Sequence, residues 1–245
     1  FLITVLSIMT NMPNENNVTI LAPAYNEEKN SPLFVTHFLS NVPNNWKILI
    51  IDDGSEDGSK QVLNLLAQKH DQLSYISHKK NMGLGKALES GFHNIETDYV
   101  ITIDCDLSHK FDVVQELYNN RHKADVVMAS LSHPKSESSS ASKIRVVIAK
   151  IGNFLLSYMF GTSAKEIAGG PRIYTSKSVK NLNLKYSGFE AQTEILIRLL
   201  KNNFTVSDCK LYLYKRKYGE SKMPYIKTII GIIKIYFTIY LTNKN

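Results

Sequence analysis

The sequence predicts an α/β fold with a mostly parallel, Rossmann-like central sheet and helices on both faces. Three observations predict it. Short apolar runs alternate with segments of helical periodicity through the first half of the chain, and the joints between them are short. Several of the runs stop abruptly at acidic or polar groups. Strand–helix alternation with short connections is the signature of parallel strands joined by crossover helices.

In chain order, Val18–Ala22 is the first apolar run and stops at Pro23, and Ser31–Asn41 has helical character. Trp46–Ile51 (WKILII) reads as a buried strand ended by Asp52-Asp53-Gly54, and Val62, Leu63, Leu65 and Leu66 fall at helical spacing. Leu73–Ile76 is a third strand, Gly85–His93 a short helix, and Tyr99–Ile103 a fourth strand that runs into Asp104. A helix over Asp112–His122 and a strand at Asp125–Met128 complete the series. His133–Ala141 is serine-rich and reads as a loop. Ile144, Val147, Ile148, Ile151, Phe154, Leu155 and Tyr158 then repeat at helical spacing up to Gly161, a natural stop. A short strand follows Gly169-Gly170-Pro171, then an Ile- and Leu-rich helix around Glu194–Leu200, a strand at Thr205–Tyr214 and the basic segment Lys215–Lys222.

Length and composition fit one such domain. The chain has 245 residues, 43% of them hydrophobic and 21% charged, which suffices for a sizeable core. The net charge of +7 favours an anionic partner, whether nucleic acid, anionic lipid or phosphorylated substrate. No aromatic or recognition-helix pattern supports nucleic acid, so no nucleic-acid partner is expected. Cys105 and Cys209 have neither metal-ligand nor disulfide spacing and suit a reducing compartment.

The ends read differently. Residues 1–17 form an apolar extension that lacks both a basic leader and an initiating Met; this reads as the cut end of a longer chain or as sequence upstream of Met12. The segment from Tyr225 to Leu241 is a helix that at ~1.5 Å per residue reaches roughly 25 Å, short of a comfortable span. Lys227, Gly231, Lys234 and Thr238 make one narrow polar stripe on it. Lys234 in mid-bilayer would cost about 2.5–3.5 kcal/mol, which an interfacial helix avoids. A core helix is the rival reading, although the apolar arc is wide for one.

Three strand ends carry the chemistry: Pro23-Ala24-Tyr25-Asn26-Glu27, Asp52-Asp53-Gly54-Ser55 and Asp104-Cys105-Asp106. Open α/β sheets bind ligands beyond the carboxyl ends of their strands, so all three groups belong on one rim. Carboxylates crowded there repel unless a cation or polar ligand intervenes. Asp104-x-Asp106, at a strand end where the chain turns, lets both carboxylates reach one hard cation, Mg²⁺ or Mn²⁺. Asp52-Asp53-Gly54 has a rival reading as a simple turn. Gly83-Leu84-Gly85-Lys86 opens a helix without full phosphate-loop spacing, and close packing of that helix explains its glycines better. The cations Arg145, Arg172, Arg216 and Lys222 lie in the second half, where several would have to converge on a diphosphate.

Together LAPAYNEE, IIDDGSEDGS, NMGLGKAL, ITIDCDLSH, YSGFEAQTEIL and YGESKM, in that order from about Val18 to Lys222, resemble glycosyltransferase family 2 with the GT-A fold, and within it the dolichol-phosphate mannosyltransferase group. The resemblance implies a GT-A domain over 18–222 followed by a C-terminal amphipathic, interfacial helix over 223–245. It implies that Pro23, Tyr25, Glu27 and Asp53, with Asp52 beside them, hold the nucleoside end of a nucleotide-sugar. Asp104 and Asp106 would bind metal and diphosphate, with Ser108 standing where some members have a Gln ligand. Arg145, Arg172, Arg216 and Lys222 would face donor or acceptor phosphate, Arg216 as part of the catalytic set. The group moves a hexose, usually from GDP-mannose, to a polyprenyl phosphate with inversion. It works at the cytoplasmic side of a membrane, peripherally or weakly anchored, and a small membrane-protein subunit is an implied partner. UDP-glucose as donor, a glycan or another lipid as acceptor, and a non-catalytic sugar-nucleotide-binding homologue are the alternatives. Two departures border the acceptor side: Leu131 stands where the group has an Arg, and Gly169-Gly170-Pro171 replaces the middle of its usual segment before Arg172.

Overall fold

The structure is a computed structural model. It describes residues 17–130, 137–138, 143–162, 164–167, 169–214, 218 and 224–241. The strands are β1 (Val18–Ala24), β2 (Lys47–Asp52), β3 (Leu73–Ser77), β4 (Tyr99–Thr102), β5 (Val126–Ser130), β6 (Glu137–Ser138), β7 (Arg172–Thr175), β8 (Val206–Lys210) and β9 (Tyr212–Leu213). The helices are α1 (Ser31–Leu39), α2 (Ser59–Ala67), α3 (Leu84–His93), α4 (Phe111–Asn119), α5 (Lys143–Phe160), α6 (Ser176–Val179), α7 (Ala191–Lys201) and α8 (Tyr225–Ile235).

Seven strands form one sheet in the order β3-β2-β1-β4-β7-β5-β8. All run the same way except β7, which lies antiparallel between β4 and β5. β1 and β2 are buried along nearly their whole length because both faces are covered. Alternate side chains feed two cores. Ile20, Ile48, Ile50 and Ile101 pack with Phe34 and Phe38 of α1, Leu63 of α2 and Leu117 of α4. Leu21, Leu49, Ile51 and Val100 pack on the other face with Leu88 and Phe92 of α3, Leu196 and Leu199 of α7, and Ile232 and Ile235 of α8. Gly91 of α3 is set against the Leu21 side chain, where a Cβ would lie 2.3 Å from Cδ1, so the close approach of helix and sheet requires glycine there.

Several boundaries differ from those the sequence predicts. The helix expected to reach His122 ends at Asn119 and is followed by a separate 3-10 turn at Arg121–Lys123. The expected strand Thr205–Tyr214 is two: β8 joins the main sheet beside β5, while β9 pairs in parallel with β6 in a second, two-stranded sheet. Periodicity carries no sign of that switch of partner. The rest of the expected loop 133–141 and residues 1–16 lie outside the described residues. The stop at Gly161 is as expected, with φ +60 just beyond α5. The chain beyond α8 continues as a π-helical turn, Tyr236–Leu241. Among the described residues, no helix is long and apolar enough to cross a membrane.

α8 buries Thr228, Ile232 and Ile235 against the domain while Ile226, Ile229, Ile230 and Ile233 are exposed. Gly231 lies against Glu190, whose Cγ is 2.6 Å from where a Cβ would stand.

His37, at the C-terminal end of α1, accepts a hydrogen bond at Nε2 from the Phe111 backbone N–H, 3.2 Å, at the start of α4. An acceptor nitrogen must be unprotonated. Burial, reinforced by the nearby Lys110 ammonium and opposed by Asp112, holds the imidazole below its ordinary value of 6.5. The unfolded chain therefore takes up this proton first as pH falls. Stability from the neutral ring is present above pH 6.5 and is lost below it. The melting temperature of the wild type should fall more steeply than that of His37→Gln between neutral pH and about pH 5.5 in a scanning-calorimetry series.

Candidate functional site

The parallel strands β1, β2 and β4 deliver their carboxyl ends to one rim, as the sequence predicts. A cleft of ≈ 390 Å³ opens there, lined by Pro23, Ala24, Tyr25 and Glu27 after β1, Asp53 after β2, and Asp104, Cys105 and Asp106 after β4. The far wall is Asn81, Gly83, Leu84 and Ala87, with Gly188, Phe189 and Pro224 closing one end.

Backbone–side-chain bonds fix the loops beneath it. Asn26, in the left-handed region at φ +54, donates its N–H to Ser55 Oγ and accepts from the Glu56 N–H. The Glu27 N–H donates to Ser59 Oγ, 2.9 Å, and the Glu27 carboxylate accepts from Asn30 Nδ2, 2.6 Å. The β1 and β2 loops are thereby laced together, with Glu27 turned to the cleft wall.

Asp52 and Asp53 are adjacent but do different things. Asp52 is buried and does not line the cleft; its carboxylate accepts from the Ser55 N–H and the Ser77 hydroxyl. This corrects the expectation that Asp52 sits beside the nucleoside. It closes the turn after β2 and ties it to β3, which is the turn reading applied to one residue of the pair. Asp53 reaches the cleft, and its oxygens accept from the Met82 and Gly83 N–H groups at 2.9 and 2.7 Å. Its Oδ1 also pairs with His78 Nδ1 at 2.7 Å, and His78 Nε2 reaches Ser90 Oγ of α3. Asp53 thus anchors the whole 78–83 segment that forms the facing wall. His78 is a part of the site that sequence reasoning missed; a histidine directly after a strand carries no signal of its own, because its partner comes from another loop.

Gly83, at φ +92, lies so close to the Ser187 carbonyl that a Cβ would stand 2.3 Å from it, and the Gly85 N–H donates to that same oxygen at 2.7 Å. The glycines serve close packing, as expected. Lys86 belongs to this packing: its ammonium bonds Glu89 and the Leu184 carbonyl. The adjoining segment is held by Glu194 of α7, fully buried, which accepts the Lys185 and Tyr186 N–H groups and pairs with Arg198.

Asp104 is exposed and Asp106 buried, and both line the cleft. Asp106 Oδ1 accepts from the Ser108 N–H at 2.8 Å, so Ser108 meets Asp106 through its backbone. Leu107 between them is left-handed, φ +59, a conformation that costs a branched residue energy and turns the chain sharply within the motif. The Ser108 carbonyl accepts from the Tyr214 N–H, and Tyr214 OH bonds Asp112, which clamps the chain end after β9 to the Asp106 loop. Among the described residues, no three His, Cys, Asp or Glu side chains converge in the manner of a closed metal site; the two carboxylates make an open, oxygen-only pair. The Cys105 thiol beside them is driven upward by burial and then by Glu27, so it stays protonated.

The basic residues divide. Arg172 is fully buried, and its guanidinium donates to the backbone carbonyls of Gln192, Glu166, Ile167 and Gly169. This corrects its assignment to a phosphate: both terminal nitrogens are spent on carbonyl oxygens that join the loop before β7 to the start of α7, and Nε is buried. Arg216 and Lys222 lie outside the described residues, as does Leu131, and of Arg145 only the helical backbone is described.

A second, apolar groove of ≈ 720 Å³ runs from the cleft along α8, lined by Tyr186, Glu190, Ile226, Ile230 and Gly231, with Lys227 and Lys234 at its sides. Pro224 lines both cavities and so joins them.

Comparison with known proteins agrees with this architecture. The family description Glycosyl transferase family 2 matches residues 19–182, more than half of the chain. The polyprenol monophosphomannose synthase of Mycolicibacterium smegmatis is 27% identical over 219 residues, covering 86% of this chain and 82% of that protein. The undecaprenyl-phosphate mannosyltransferase of Micrococcus luteus is 25% identical over 212 residues (84% and 87%), and a dolichyl-phosphate beta-glucosyltransferase of Trichomonas vaginalis 24% over 240 (91% and 69%). Among solved structures, glucosyl-3-phosphoglycerate synthase from Mycobacterium tuberculosis, in complex with Mn²⁺, UDP and phosphoglyceric acid, superposes with a TM-score of 0.66 at 14% identity, covering 91% of this chain and 76% of that one. The shared arrangement is the GT-A fold. On the match of its strands, its rim and its motifs, the chain belongs to glycosyl transferase family 2.

Proposed function

We propose that the protein is an inverting hexosyltransferase that moves a sugar, mannose from GDP-mannose in the first instance, to a polyprenyl phosphate at a membrane surface. The single observation that carries this reading is the cleft itself: Glu27, Asp53, Asp104 and Asp106, from three separate strand ends, face one cavity, and an apolar groove that shares Pro224 with it lies alongside. The similarity to transferases named for polyprenol, undecaprenyl and dolichyl phosphates supports the acceptor class.

The donor set fits a divalent cation. Asp104 and Asp106 offer carboxylate oxygens on one wall, the hard ligands that Mg²⁺ and Mn²⁺ take. Bound there, such an ion neutralises the diphosphate that leaves with the nucleoside. The chain's own residues do the rest. Asp53 holds the 78–83 wall, and Asn81 with it, in place, while Ser59 and Asn30 hold Glu27; these residues and Tyr25 are assigned to the nucleoside. Ser108 keeps Asp106 pointed at the cleft. Arg145, Arg216 and Lys222 are assigned to the donor and acceptor phosphates. A lipid phosphate is already an anion and attacks without a general base, and the groove along α8 takes the first part of its apolar chain. α8, with its row of exposed isoleucines, lies in the interface on the cytoplasmic side.

UDP-glucose is the second reading for the donor, favoured by the glucosyltransferase relative and by the UDP held in the M. tuberculosis structure. Incubating the protein with GDP-mannose or UDP-glucose, Mn²⁺ and a short polyprenyl phosphate tests both. A lipid-linked hexose with one donor is the expected product, and its absence with every donor overturns the proposal. Chelation with EDTA should abolish transfer, and added Mn²⁺ or Mg²⁺ should restore it; full activity in EDTA would remove the cation from the reading.

A further inference from the structure

One buried acceptor beside the cleft has nothing to accept. Gln192, in the first turn of α7, has both backbone groups in use: its N–H donates to the Phe189 carbonyl at 3.3 Å, and its own carbonyl accepts from Arg172 Nη1 at 2.8 Å. Its side-chain oxygen, Oε1, is buried and has no hydrogen-bond partner among the described residues. A buried acceptor in that state destabilises the fold until something supplies a donor.

Two features of its surroundings identify the donor. A niche of ≈ 10 Å³, room for about one hydroxyl, adjoins the cleft. Gln192 lines it with Thr102, Gly170 and Pro171, while Pro23, Leu84 and Asp104 line niche and cleft alike. The Thr102 hydroxyl is directed to the Arg172 carbonyl at 3.5 Å, which leaves the Gln192 amide to meet whatever enters. The terminal torsion of a glutamine is broad, so its carbonyl swings toward the niche at little cost. Gly169 is the second feature. It lies outside the left-handed region that Gly170 occupies at φ +90, so its backbone does not demand glycine. The atom that a Cβ at 169 would meet is Gln192 Oε1, at 3.4 Å. Glycine there keeps that side of the oxygen uncovered.

We propose that Gln192 Oε1 accepts a hydroxyl of the donor's hexose in the niche beside Asp104, and so is a specificity-determining residue for that sugar. The inference rests on the nucleotide-sugar reading above and names a side chain that reads the sugar. Chemistry selects the group. An amide oxygen only accepts, and so do the oxygens of an ionised diphosphate or lipid phosphate; a hexose hydroxyl is the donor that the substrate brings. Position agrees, since Asp104 is assigned to the cation on the diphosphate and the hexose is attached to that diphosphate.

Titration calorimetry in Mn²⁺ tests this, with GDP-mannose against GDP and UDP-glucose against UDP. Gln192→Met should bind the nucleotide-sugar about tenfold more weakly than wild type and the nucleoside diphosphate equally well. Its melting temperature without ligand should hold or rise, because an apolar group replaces a stranded acceptor. Gly169→Ser should repeat the pattern with Gln192 intact, its hydroxyl occupying Oε1, and it supplies the reading should Gln192→Met fail to fold. Within a monodeoxy donor series, one member should bind the wild type as Gln192→Met binds the full hexose, and lose nothing more in the variant. Wild-type affinity for the nucleotide-sugar in both variants overturns the inference. An equal loss for the diphosphate alone overturns it too, by giving the oxygen to a water on the cation, as does a lowered melting temperature in Gln192→Met with sugar affinity kept. The two readings fail separately: a wild type that binds the nucleotide-sugar through Gln192 but transfers no hexose leaves the niche standing and removes the transfer, whereas one that binds no nucleotide-sugar removes both.

Discussion

Asp106→Asn is expected to lower hexose transfer by about 10³-fold, the effect of withdrawing roughly 4 kcal/mol of charge stabilisation from the leaving diphosphate. The amide is chosen over alanine because Asp106 is buried and its Oδ1 accepts from the Ser108 N–H, a bond an amide oxygen keeps. The loop that carries Leu107 at φ +59 therefore stays closed while the negative charge goes. Initial rates with saturating donor, beside a melting curve, separate the two effects. An enzyme that keeps wild-type turnover as Asp106→Asn does not use this carboxylate for its cation. A variant that loses both activity and melting temperature points to the Ser108 bond as what mattered.

Arg172→Met is expected to act on stability alone. The guanidinium is sealed from solvent and bonds four backbone carbonyls that hold the 164–171 loop against the first turn of α7. Removing it strands buried acceptors and should cost about 3 kcal/mol, which for a chain of this size lowers the melting temperature by roughly 6–12 °C. Arg172→Lys should rescue little, since one ammonium cannot reach carbonyls that the planar fork spans. Scanning calorimetry reads the loss. The donor KM, measured below the lowered transition, should stay near wild type, and a large rise in KM with an unchanged melting temperature would return Arg172 to the phosphates.

These two residues show where the sequence is legible and where it is not. Asp106 follows a buried strand, and strand ends are set by local pattern, so its place on the rim was readable from YVITI and the acids after it. The same logic put Glu27 and Asp53 on that rim. Arg172 also follows a recognisable segment, but whether an arginine faces solvent, phosphate or carbonyls depends on neighbours twenty residues away, such as Gln192. The reversal of β7 and the move of β9 to a second sheet are pairing choices that hydrophobic runs do not encode. α5 is the sharpest case. Its period was plain, yet Ile151, Phe154, Leu155 and Tyr158 stand exposed. A period names only a stripe, and the medium that the stripe faces is decided by which side Asn153 and Ser157 bond to the domain.

The reversed strand has a further result. Because β7 runs against its neighbours, its first residue, Arg172, pairs with Thr102 at the end of β4. A loop that enters a strand thus opens onto the same rim as loops that leave strands, and Gly170 and Pro171 stand beside Asp104. The rim is consequently assembled from stretches that enter strands as well as stretches that leave them. The stretch up to Asp106 builds the acidic wall, while the short run between α5 and β7 supplies the edge beside it, held by Arg172 and by Gly170 at φ +90. Gly169-Gly170-Pro171 is therefore one panel of the rim set in place by the reversal of β7, where a change of chain bears on the ground beside Asp104 and leaves the carboxylates themselves untouched.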